Sequence, residues 1–572
     1  MSVKKIKIYC VNLDRHIDVE GGASLAESAH TLKDSLGFEP ICARVNNKSE
    51  YLGYAVYSPK QIEFVGIDSP LGRRVYTRSL CMMLYRAASM EISSCALKIE
   101  HSVSRGHFCR LSCPDQPDSS QNATGSCGNV EITPELLSRL TDRLKEMHEA
   151  DLPFIKHVKP TVDVKDLFRR EGLEEKVSLL DTENDLYTSF YTLEDTADNY
   201  YGPLAPSTRF IGTFALHPYH DGFLLMGPDP KDPAKPIEPE PQEKLFKAFT
   251  DYLKFNRIIR VSTVGELNKV VLAKKTADLI NVAEAMHDKY LGRISDEIAR
   301  RNSEGSARIV LLAGPSSSGK TTTNKRLAIQ LMTNLLVPKL ISIDDYFIDR
   351  ELTPRDENGD YDFEHLHALD LDRFNSDLQR LLAGETINLP TYSFELGRRI
   401  EKEKPLKMGP KDVLLIEGIH GLNPELTHAL RGDDIFKIYV SALTTLTIDD
   451  HNWISTNDNR LLRRIVRDFK YRHVSALETL RRWPSVQRGE ERWIFPYQEN
   501  ADALFNSSLL FEIGVMKNYA EPLLRSVPHN TLQYAEAYRL LKLLSYFIPI
   551  EAEQIPTTSL LREFLGGSSF RY

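Results

Sequence analysis

The sequence predicts an α/β protein whose C-terminal half is built on a mostly parallel sheet with flanking helices. Two short runs, residues 308–313 and 413–416, consist mainly of β-branched residues and leucine, which is typical of strands buried on both faces of such a sheet. A glycine-rich turn and a helical stretch follow the first run, and an acidic residue follows the second. Strand, turn and helix in that order indicate a βα unit.

The composition indicates a folded chain of several domains. The 572 residues, 41% of them hydrophobic, would form three or four domains at about 150 residues each. No apolar run approaches the roughly 20 residues that span a bilayer, and no apolar signal core follows Met1, so we expect neither a membrane protein nor export. Seven cysteines predict no disulfide framework, which favours a cytoplasmic location. The net charge of −8 argues against a global basic field, so an anionic ligand needs a local site.

The pattern of strand-like and helical stretches in residues 1–66 predicts a small mixed α/β module. Ser24, with Glu27 in a capping box, would begin a helix that Gly37 ends. The strand-like stretches cover residues 6–10, 41–45 and 61–65. The order of strand, glycine turn and helix, with the strand end Ala43-Arg44-Val45-Asn46, resembles the TGS domain of threonyl-tRNA synthetases. That resemblance implies a β-grasp fold and an association with RNA or regulatory ligands.

Residues 67–225 resemble, more loosely, the second, α+β domain of those synthetases. The resemblance rests on Tyr76-Thr77-Arg78-Ser79-Leu80 and on Glu100-His101-Ser102-Val103-Ser104-Arg105-Gly106. Editing enzymes of that family carry a His-x-x-x-His pair on a helix near here. The helix that we predict over residues 80–90 contains no histidine, so we do not carry the editing activity over.

Four candidate metal ligands, His101, His107, Cys109 and Cys113, also lie close together in this region. Their spacing matches no standard zinc pattern. We therefore favour ordinary buried or surface residues over a metal site at these positions.

Two connecting segments precede the C-terminal half of the chain. Residues 226–242 contain six prolines and predict a semi-rigid surface linker. Residues 243–302 have helical periodicity and end with a helix over 281–301. We place the domains at 1–66, 67–225, 226–302 as linker and helical connector, and 303–572.

The sequence Gly314-Pro315-Ser316-Ser317-Ser318-Gly319-Lys320-Thr321 is a G-x-x-x-x-G-K-[ST] loop between a strand and a helix that we predict over 321–335. This is the context that a phosphate-binding loop (P-loop) requires. Its backbone N–H groups and the helix dipole would hold nucleotide phosphates. Lys320 would reach the β- and γ-phosphates, and the Thr321 hydroxyl would hold Mg²⁺. The residues that we expect to bind ATP are Gly314, Pro315, Ser316, Ser317, Ser318, Gly319, Lys320, Thr321 and Thr322.

Three features after the loop favour a kinase over a switch GTPase or a motor ATPase. A strand over 339–343 ends on Asp344-Asp345, where a carboxylate could accept the proton of a hydroxyl acceptor. The strand over 413–416 ends in Glu417, a second position for Mg²⁺ and its waters. Residues 457–493 hold ten Lys/Arg against five Asp/Glu, which we interpret as a lid over the phosphoryl group rather than a solvated surface. The base-specifying Asn-Lys-x-Asp of GTPases does not occur.

From about residue 309 to residue 524 the chain resembles the uridine kinase branch of the uridine kinase/phosphoribulokinase family. The matching elements occur in family order: residues 314–322, Ser342-Ile343-Asp344-Asp345-Tyr346-Phe347, Asp362-Phe363-Glu364-His365, Pro390-Thr391-Tyr392-Ser393-Phe394, Glu417-Gly418-Ile419 and residues 460–468. The resemblance implies a P-loop enzyme that phosphorylates the primary hydroxyl of a nucleoside or sugar phosphate with ATP or GTP.

The resemblance also implies roles for individual residues. Asp344 falls where the family places its general base, whereas Asp345 falls where a small polar residue is common. Lys320, Arg464 and Arg467 would assist the transferring phosphoryl group, and Thr321 with Glu417 would hold Mg²⁺. The implied substrate-binding residues are Tyr346, Phe347, Phe363, Glu364, Tyr392, Phe394, Arg460 and Arg472. Aromatic residues at this spacing fit a hydrophobic core equally well.

Two departures separate the chain from uridine kinases. Glu364 stands where those enzymes have an aspartate, and Gly397 stands where a pyrimidine-reading histidine would be. A site that loses the hydrogen-bond donor that reads the base loses discrimination between bases. We therefore do not predict uridine itself as the substrate.

We therefore predict a Mg²⁺-dependent kinase that transfers the γ-phosphate of ATP in line to the 5′-hydroxyl of a nucleoside. One alternative is a kinase for a non-nucleoside acceptor, such as a sugar phosphate or vitamin precursor. Another is a nucleotide-sensing, RNA-binding regulatory protein, which the TGS-like region motivates. The family resemblance also suggests a homo-oligomer.

Overall fold

The computed structural model describes residues 5–92, 95–117, 127–355, 359, 361–393, 395–400 and 402–571. Its first elements are β1 (Lys5–Cys10), β2 (Arg15–Glu20), α1 (Leu25–Leu36), β3 (Cys42–Val45), β4 (Lys48–Glu50) and β5 (Gln61–Val65). The strands form one sheet in the order β2-β1-β5-β3-β4, in which β1 and β5 are parallel. Ser24 and Glu27 form the predicted capping box, and Gly37 ends α1 with a φ of 70°.

The next region combines two antiparallel sheets with helices. Its first elements are α2 (Pro70–Glu91), β6 (Ala96–Val103), β7 (Gly106–Pro117), β8 (Cys127–Asn129), α3 (Pro134–Ala150), β9 (Ile155–Pro160) and α4 (Thr161–Arg170). Its later elements are α5 (Glu174–Leu180), β10 (Tyr187–Leu193), β11 (Thr196–Asp198), β12 (Ala215–Tyr219) and β13 (Gly222–Met226). The sheet orders are β12-β13-β7-β6, with β8 on β7, and β11-β10-β9. The helix α2 begins before the predicted residue 80 because Ser69 caps it and Pro70 occupies its first turn.

The proline-rich stretch that we expected as a linker contains a short hairpin. It pairs β14 (Pro228–Asp229) with β15 (Asp232–Pro236). A two-stranded ribbon tolerates proline because both strands are edges with N–H positions that need no partner strand. The helices α6 (Glu243–Ile259), α7 (Val264–Leu272) and α8 (Thr276–Ser303) follow. The last two pack into the same hydrophobic core as the C-terminal sheet.

The C-terminal half is the predicted α/β unit with a parallel sheet. Its first elements are β16 (Ile309–Ala313), α9 (Lys320–Thr333), β17 (Val337–Ser342), α10 (Leu371–Leu382), β18 (Ile387–Asn388), β19 (Thr391–Ser393), β20 (Arg398–Ile400), β21 (Pro405–Leu406) and β22 (Asp412–Glu417). It continues with β23 (Ile435–Ser441), α11 (Thr456–Arg472), α12 (Ala476–Trp493), β24 (Ala503–Asn506), α13 (Glu512–Arg525), α14 (Tyr534–Ser545) and α15 (Arg562–Leu565). The parallel strand order is β17-β22-β16-β23-β24.

The central strand β16 is fully buried along its length, which explains its unbroken apolar sequence. The strand β17 begins at Val337 and ends at Ser342, and the Asp344 segment continues as a short 3-10 turn rather than as strand. Within the described ranges, no helix has both the length and the hydropathy of a membrane-spanning segment.

Candidate active site

The carboxyl ends of three neighbouring strands bring the predicted chemistry to one edge of the sheet. The strand β16 continues into the P-loop, β17 into the Asp344 turn, and β22 ends on Glu417. Since β22 lies between the other two, its register places Glu417 opposite both Leu312 and Ser342. Parallel α/β sheets bind ligands outside the carboxyl ends of their strands, so the loop and both acidic segments meet in one cleft.

Two glycines set the shape of the P-loop. A Cβ on Gly314 would come within 2.0 Å of the Val440 carbonyl oxygen, which a side chain cannot do. Gly319 has a φ of 85°, and a Cβ there would come within 2.6 Å of a Leu560 methyl group. The helix α9 starts directly afterwards, so the loop opens toward the first-turn N–H groups of a helix.

Lys320 folds back over the loop. Its Nζ donates to the carbonyl oxygens of Gly314 at 2.9 Å and Pro315 at 3.1 Å. Burial lowers the pKa of Lys320, and the surrounding carboxylates, Glu417 foremost, oppose that shift. A cation held by neutral carbonyl groups is positioned to meet an anionic ligand.

Thr321 and Glu417, the predicted metal pair, lie together. The Thr321 hydroxyl donates to Glu417 Oε1 at 3.2 Å. Glu417 Oε2 is buried and, among the described residues, has no hydrogen-bond partner. Burial raises the pKa of Glu417 to about 7. A desolvated carboxylate oxygen beside a hydroxyl is the oxygen donor set that Mg²⁺ prefers, so these residues fit the predicted ion.

Asp344 and Asp345 differ sharply in their surroundings. Asp345 accepts from the Tyr392 N–H at 3.3 Å and lies 3.7 Å from Lys404 Nζ, which ties it to the β19 segment. Asp344 is exposed, whereas Asp345 is half-buried and borders the cleft. Desolvation of its carboxyl raises the pKa of Asp344, against the effect of nearby Lys320.

The arginines of α11 surround Asp468, whose side chain is 5% exposed. Arg464 bonds this carboxylate at 3.0 Å and also donates to the Ser316 hydroxyl at 2.6 Å, which joins the helix to the P-loop. Arg467 and Arg472 each lie 3.3 Å from the same carboxylate. Burial and the adjacent arginines lower the pKa of Arg467 to about 10. Arg467 and Arg472 border a cleft of about 690 Å³ that also touches Thr321 and Glu417.

Two residues predicted to contact the substrate lie in the core instead. Arg460 is fully buried, pairs with Glu490 at 2.5 Å and lies 5.3 Å from the ring of Trp483. Tyr346 is also fully buried and donates to Asp377 at 3.3 Å. The structure therefore differs from the expectation that Arg460 and Tyr346 contact the substrate, because neither side chain is exposed to the cleft.

The other predicted substrate residues vary in exposure. Phe347 and Tyr392 are buried with ring centroids 5.6 Å apart, whereas Phe363 is 37% exposed. Glu364 is half-buried, and burial together with Glu490 raises its pKa to about 7. Phe394 lies outside the described residues.

Gly397 has a physical reason to be glycine. Its φ is 67°, and a Cβ would come within 2.8 Å of the Arg350 guanidinium. A histidine therefore does not fit this backbone position without rearrangement.

The two histidines among the candidate metal ligands pack against aromatic rings. His101 is buried and stacks on Phe249 at 3.9 Å, and burial lowers its pKa to about 3. His107 packs 4.1 Å from the ring of Trp453. No group of three or more His, Cys, Asp or Glu in the described part of the chain is arranged to hold a metal ion.

Three residues that contact the P-loop are not among the predicted site residues. Glu490 accepts the Ser316 N–H at 2.9 Å, and buried Arg463 donates to the Ser317 carbonyl at 3.3 Å. Glu563 lies near the end of the chain, beyond the region of family resemblance, and its carboxylate accepts a hydrogen bond from Thr322. Arg463 lies in the basic run that we interpret as a lid, whereas the distance of Glu490 and Glu563 from the motif in sequence explains why no local pattern relates them to the loop.

A solved structure of a Bacillus stearothermophilus protein described as a possible uridine kinase aligns with a TM-score of 0.23 and 19% identity, covering 35% of this chain and 88% of that one. Residues 309–510 match the family model described as the phosphoribulokinase/uridine kinase family. A uridine kinase of Brevibacillus brevis is 30% identical over 201 residues, covering 35% of this chain and 85% of that relative. A uridine kinase of Staphylococcus aureus is 30% identical over 197 residues, covering 34% and 86%. Through residues 309–510 the chain therefore belongs to the phosphoribulokinase/uridine kinase family.

Proposed function

We propose that this kinase transfers the γ-phosphate of ATP, or of GTP, to the primary hydroxyl of a small acceptor, in the first instance the 5′-hydroxyl of a nucleoside. The observation that carries the proposal is the meeting of the P-loop, the Thr321–Glu417 pair and the exposed Asp344 at one sheet edge. Family membership supports a phosphotransferase. The names of the relatives support a nucleoside as the acceptor.

The donor half of the cleft would hold the triphosphate. The N–H groups of the loop and of the first turn of α9 would bind its oxygens, and Lys320 would leave its two carbonyl acceptors to pair with the β- and γ-phosphates. Thr321 and Glu417 would hold Mg²⁺, which neutralises the charge that develops on the phosphate oxygens when it is bound. Ionised Glu417 is required for this role.

The acceptor half of the cleft would be organised by Asp344. Its carboxylate would accept the proton of the attacking hydroxyl while that oxygen approaches the γ-phosphorus in line. A raised pKa makes the carboxylate a stronger base near neutral pH. Engagement of Asp345 by Tyr392 and Lys404 supports Asp344 as the base.

The α11 arginines would complete the site on closure. Asp468 holds Arg464, Arg467 and Arg472 together beside the cleft. A small movement of α11 would carry them toward the transferring phosphoryl group, whose charge they would neutralise while water is excluded.

A non-nucleoside acceptor is the second candidate, and Gly397 is the observation that favours it. Glycine occupies this position with a φ of 67°, so the base-recognition group of the uridine kinase branch is missing. A sugar phosphate or vitamin precursor carries the same kind of hydroxyl.

We also propose that residues 1–66 form a TGS-like module and that residues 67–225 form a synthetase-like domain. The sheet order β2-β1-β5-β3-β4 with one helix supports the β-grasp assignment of the first module. An RNA contact through this region and a homo-oligomer remain proposals, which salt-dependent tRNA binding and light scattering would test.

The deciding experiment is ADP release with MgATP against a panel of ribonucleosides, deoxyribonucleosides and phosphorylated sugars. We expect one class to stimulate release in the full chain, and Lys320→Ala to abolish that stimulation. Stimulation by sugars alone would replace the nucleoside with the second candidate. No stimulation by any member would remove the kinase assignment for these acceptors.

A further inference from the structure

The segment that carries α15 lies between the P-loop and the α11 arginines. Leu560, Leu561 and Phe564 are fully buried, and the Arg463 guanidinium lies 5.1 Å from the Phe564 ring. Lys470 of α11 donates to the carbonyl oxygen of Leu565. The segment is therefore an integral wall of the nucleotide cleft rather than a loose tail.

Glu563 of this segment binds the P-loop helix. Its Oε2 accepts from the Thr322 backbone N–H at 3.2 Å and from the Thr322 hydroxyl at 2.6 Å. Thr322 lies in the first turn of α9, where N–H groups do not take part in the helix's own hydrogen-bond ladder. Beside it, a methyl group of Leu560 lies against Gly319.

An anion is thus already bound to one of the donors that would hold the phosphate chain. A carboxylate and a phosphate oxygen cannot share that N–H, because both are negatively charged acceptors and would repel each other at hydrogen-bond distance. Glu563 also borders the same cleft as Thr321 and Glu417, and its charge contributes to the raised pKa of Glu417.

We propose that Glu563 is an intramolecular competitor of the nucleotide phosphates and leaves Thr322 when a nucleoside triphosphate binds. The inference rests on the proposed function, since it requires the P-loop to bind a triphosphate. Arg467 and Arg472 line the same cleft and offer the displaced carboxylate a cationic partner. Because α15 packs on α11, nucleotide entry then shifts the helix that carries the lid arginines.

The test compares MgATP affinity of the full chain with that of Glu563→Ala and Glu563→Gln. Removal of a competing charged hydrogen bond should lower the dissociation constant by about tenfold in Glu563→Ala. The decrease should be smaller in Glu563→Gln, since the amide oxygen still accepts. Glu553→Gln, an exposed glutamate of the same segment, removes the same charge as a matched control and should change nothing. Melting temperatures check that each variant is folded.

A second measurement uses the unaltered chain. Hydrogen exchange of residues 560–566 should accelerate on addition of MgATP, because Glu563 loses its anchor. If the wild type binds MgATP but Glu563→Ala binds it no more tightly, the competition is overturned while the proposed function stays intact. Slower hydrogen exchange of residues 560–566 on addition of MgATP would have the same meaning. A wild-type chain that does not bind MgATP would overturn both.

Discussion

Neighbouring residues in one motif acquire different chemistry from their contacts. Asp344 and Asp345 have the same side chain, but hydrogen bonding to the Tyr392 backbone ties Asp345 to a neighbouring strand. Asp344 is instead exposed, and desolvation raises its pKa against the effect of nearby Lys320. Glu417 and Glu364, whose pKa values burial raises to about 7, both interact electrostatically with Lys320. The site thus concentrates carboxylates that an arriving cation or phosphate would reorganise.

The first prediction separates the two aspartates. Asp344→Asn should lower turnover at least about 100-fold, because the amide cannot accept the hydroxyl proton, while the KM for ATP stays near that of the wild type. Asp345→Asn is the control, and it should lose less turnover because its carboxylate contacts protein groups. Steady-state kinetics with the acceptor that the panel experiment identifies measures the turnover of both variants. An Asp344→Asn enzyme with unchanged turnover would eliminate Asp344 as the base.

At the scale of elements, the arginines of α11 fall into two groups with different surroundings. Arg460 and Arg463 point into the core and pair with Glu490 and Glu512, and all four side chains are fully buried. Arg467 and Arg472 border the cleft at 17% and 54% exposure, and Arg464, 16% exposed, contacts the P-loop at Ser316. One face of α11 therefore anchors the helix in the core, and the adjacent face carries the positive charge that borders the cleft.

The second prediction concerns that division. Arg460→Met should lower the free energy of unfolding by about 3 kcal/mol, because it leaves Glu490 buried without its cation. The matched variant Arg472→Met should change stability by less than about 0.5 kcal/mol and should reduce turnover instead. Urea denaturation and kinetics of both variants provide the measurement. A stable Arg460→Met protein with a raised acceptor KM would restore Arg460 as a substrate contact.

At the scale of the whole molecule, a buried ionic network joins the region before residue 225 to the C-terminal unit. Lys176 Nζ lies 2.8 Å from Asp198 and 2.9 Å from Asp449, and His451 lies 2.8 Å from Asp198. Burial alone would raise the pKa of Asp198, but Lys176 and His451 hold it well below its usual value. Asp449 and His451 precede α11 by a few residues, so the network connects the N-terminal region to the segment that leads into α11.

The third prediction is that the two regions unfold together. Lys176→Met should destabilise the chain by about 3 kcal/mol, since two carboxylates lose their shared cation in the interior. Calorimetry should show one transition for the wild type that moves as a whole in the variant. Lys145→Met, at an exposed site on α3, should leave the melting temperature unchanged. Separate transitions of which only one shifts would contradict the coupling.

The parallel sheet, the P-loop and the acidic strand ends could be predicted because each is a local pattern. A buried strand needs a continuous apolar run, and a phosphate loop needs its glycines and lysine at fixed spacing. The strands β23 and β24 carry no such motif and were not anticipated. The helical connector of residues 243–302 could be recognised from its periodicity, but its packing into the C-terminal core could not.

The sequence by itself determined the parallel-sheet α/β fold of the C-terminal half and the closeness of Thr321 to Glu417, since these depend on residues within or directly after one strand or loop. Only the tertiary structure decided that Arg460 and Tyr346 belong to the core, because their partners, Glu490 and Asp377, lie on other helices. It alone brought Glu563 to the P-loop across 241 residues of chain. Long-range packing and burial decide such contacts, and no local pattern records them.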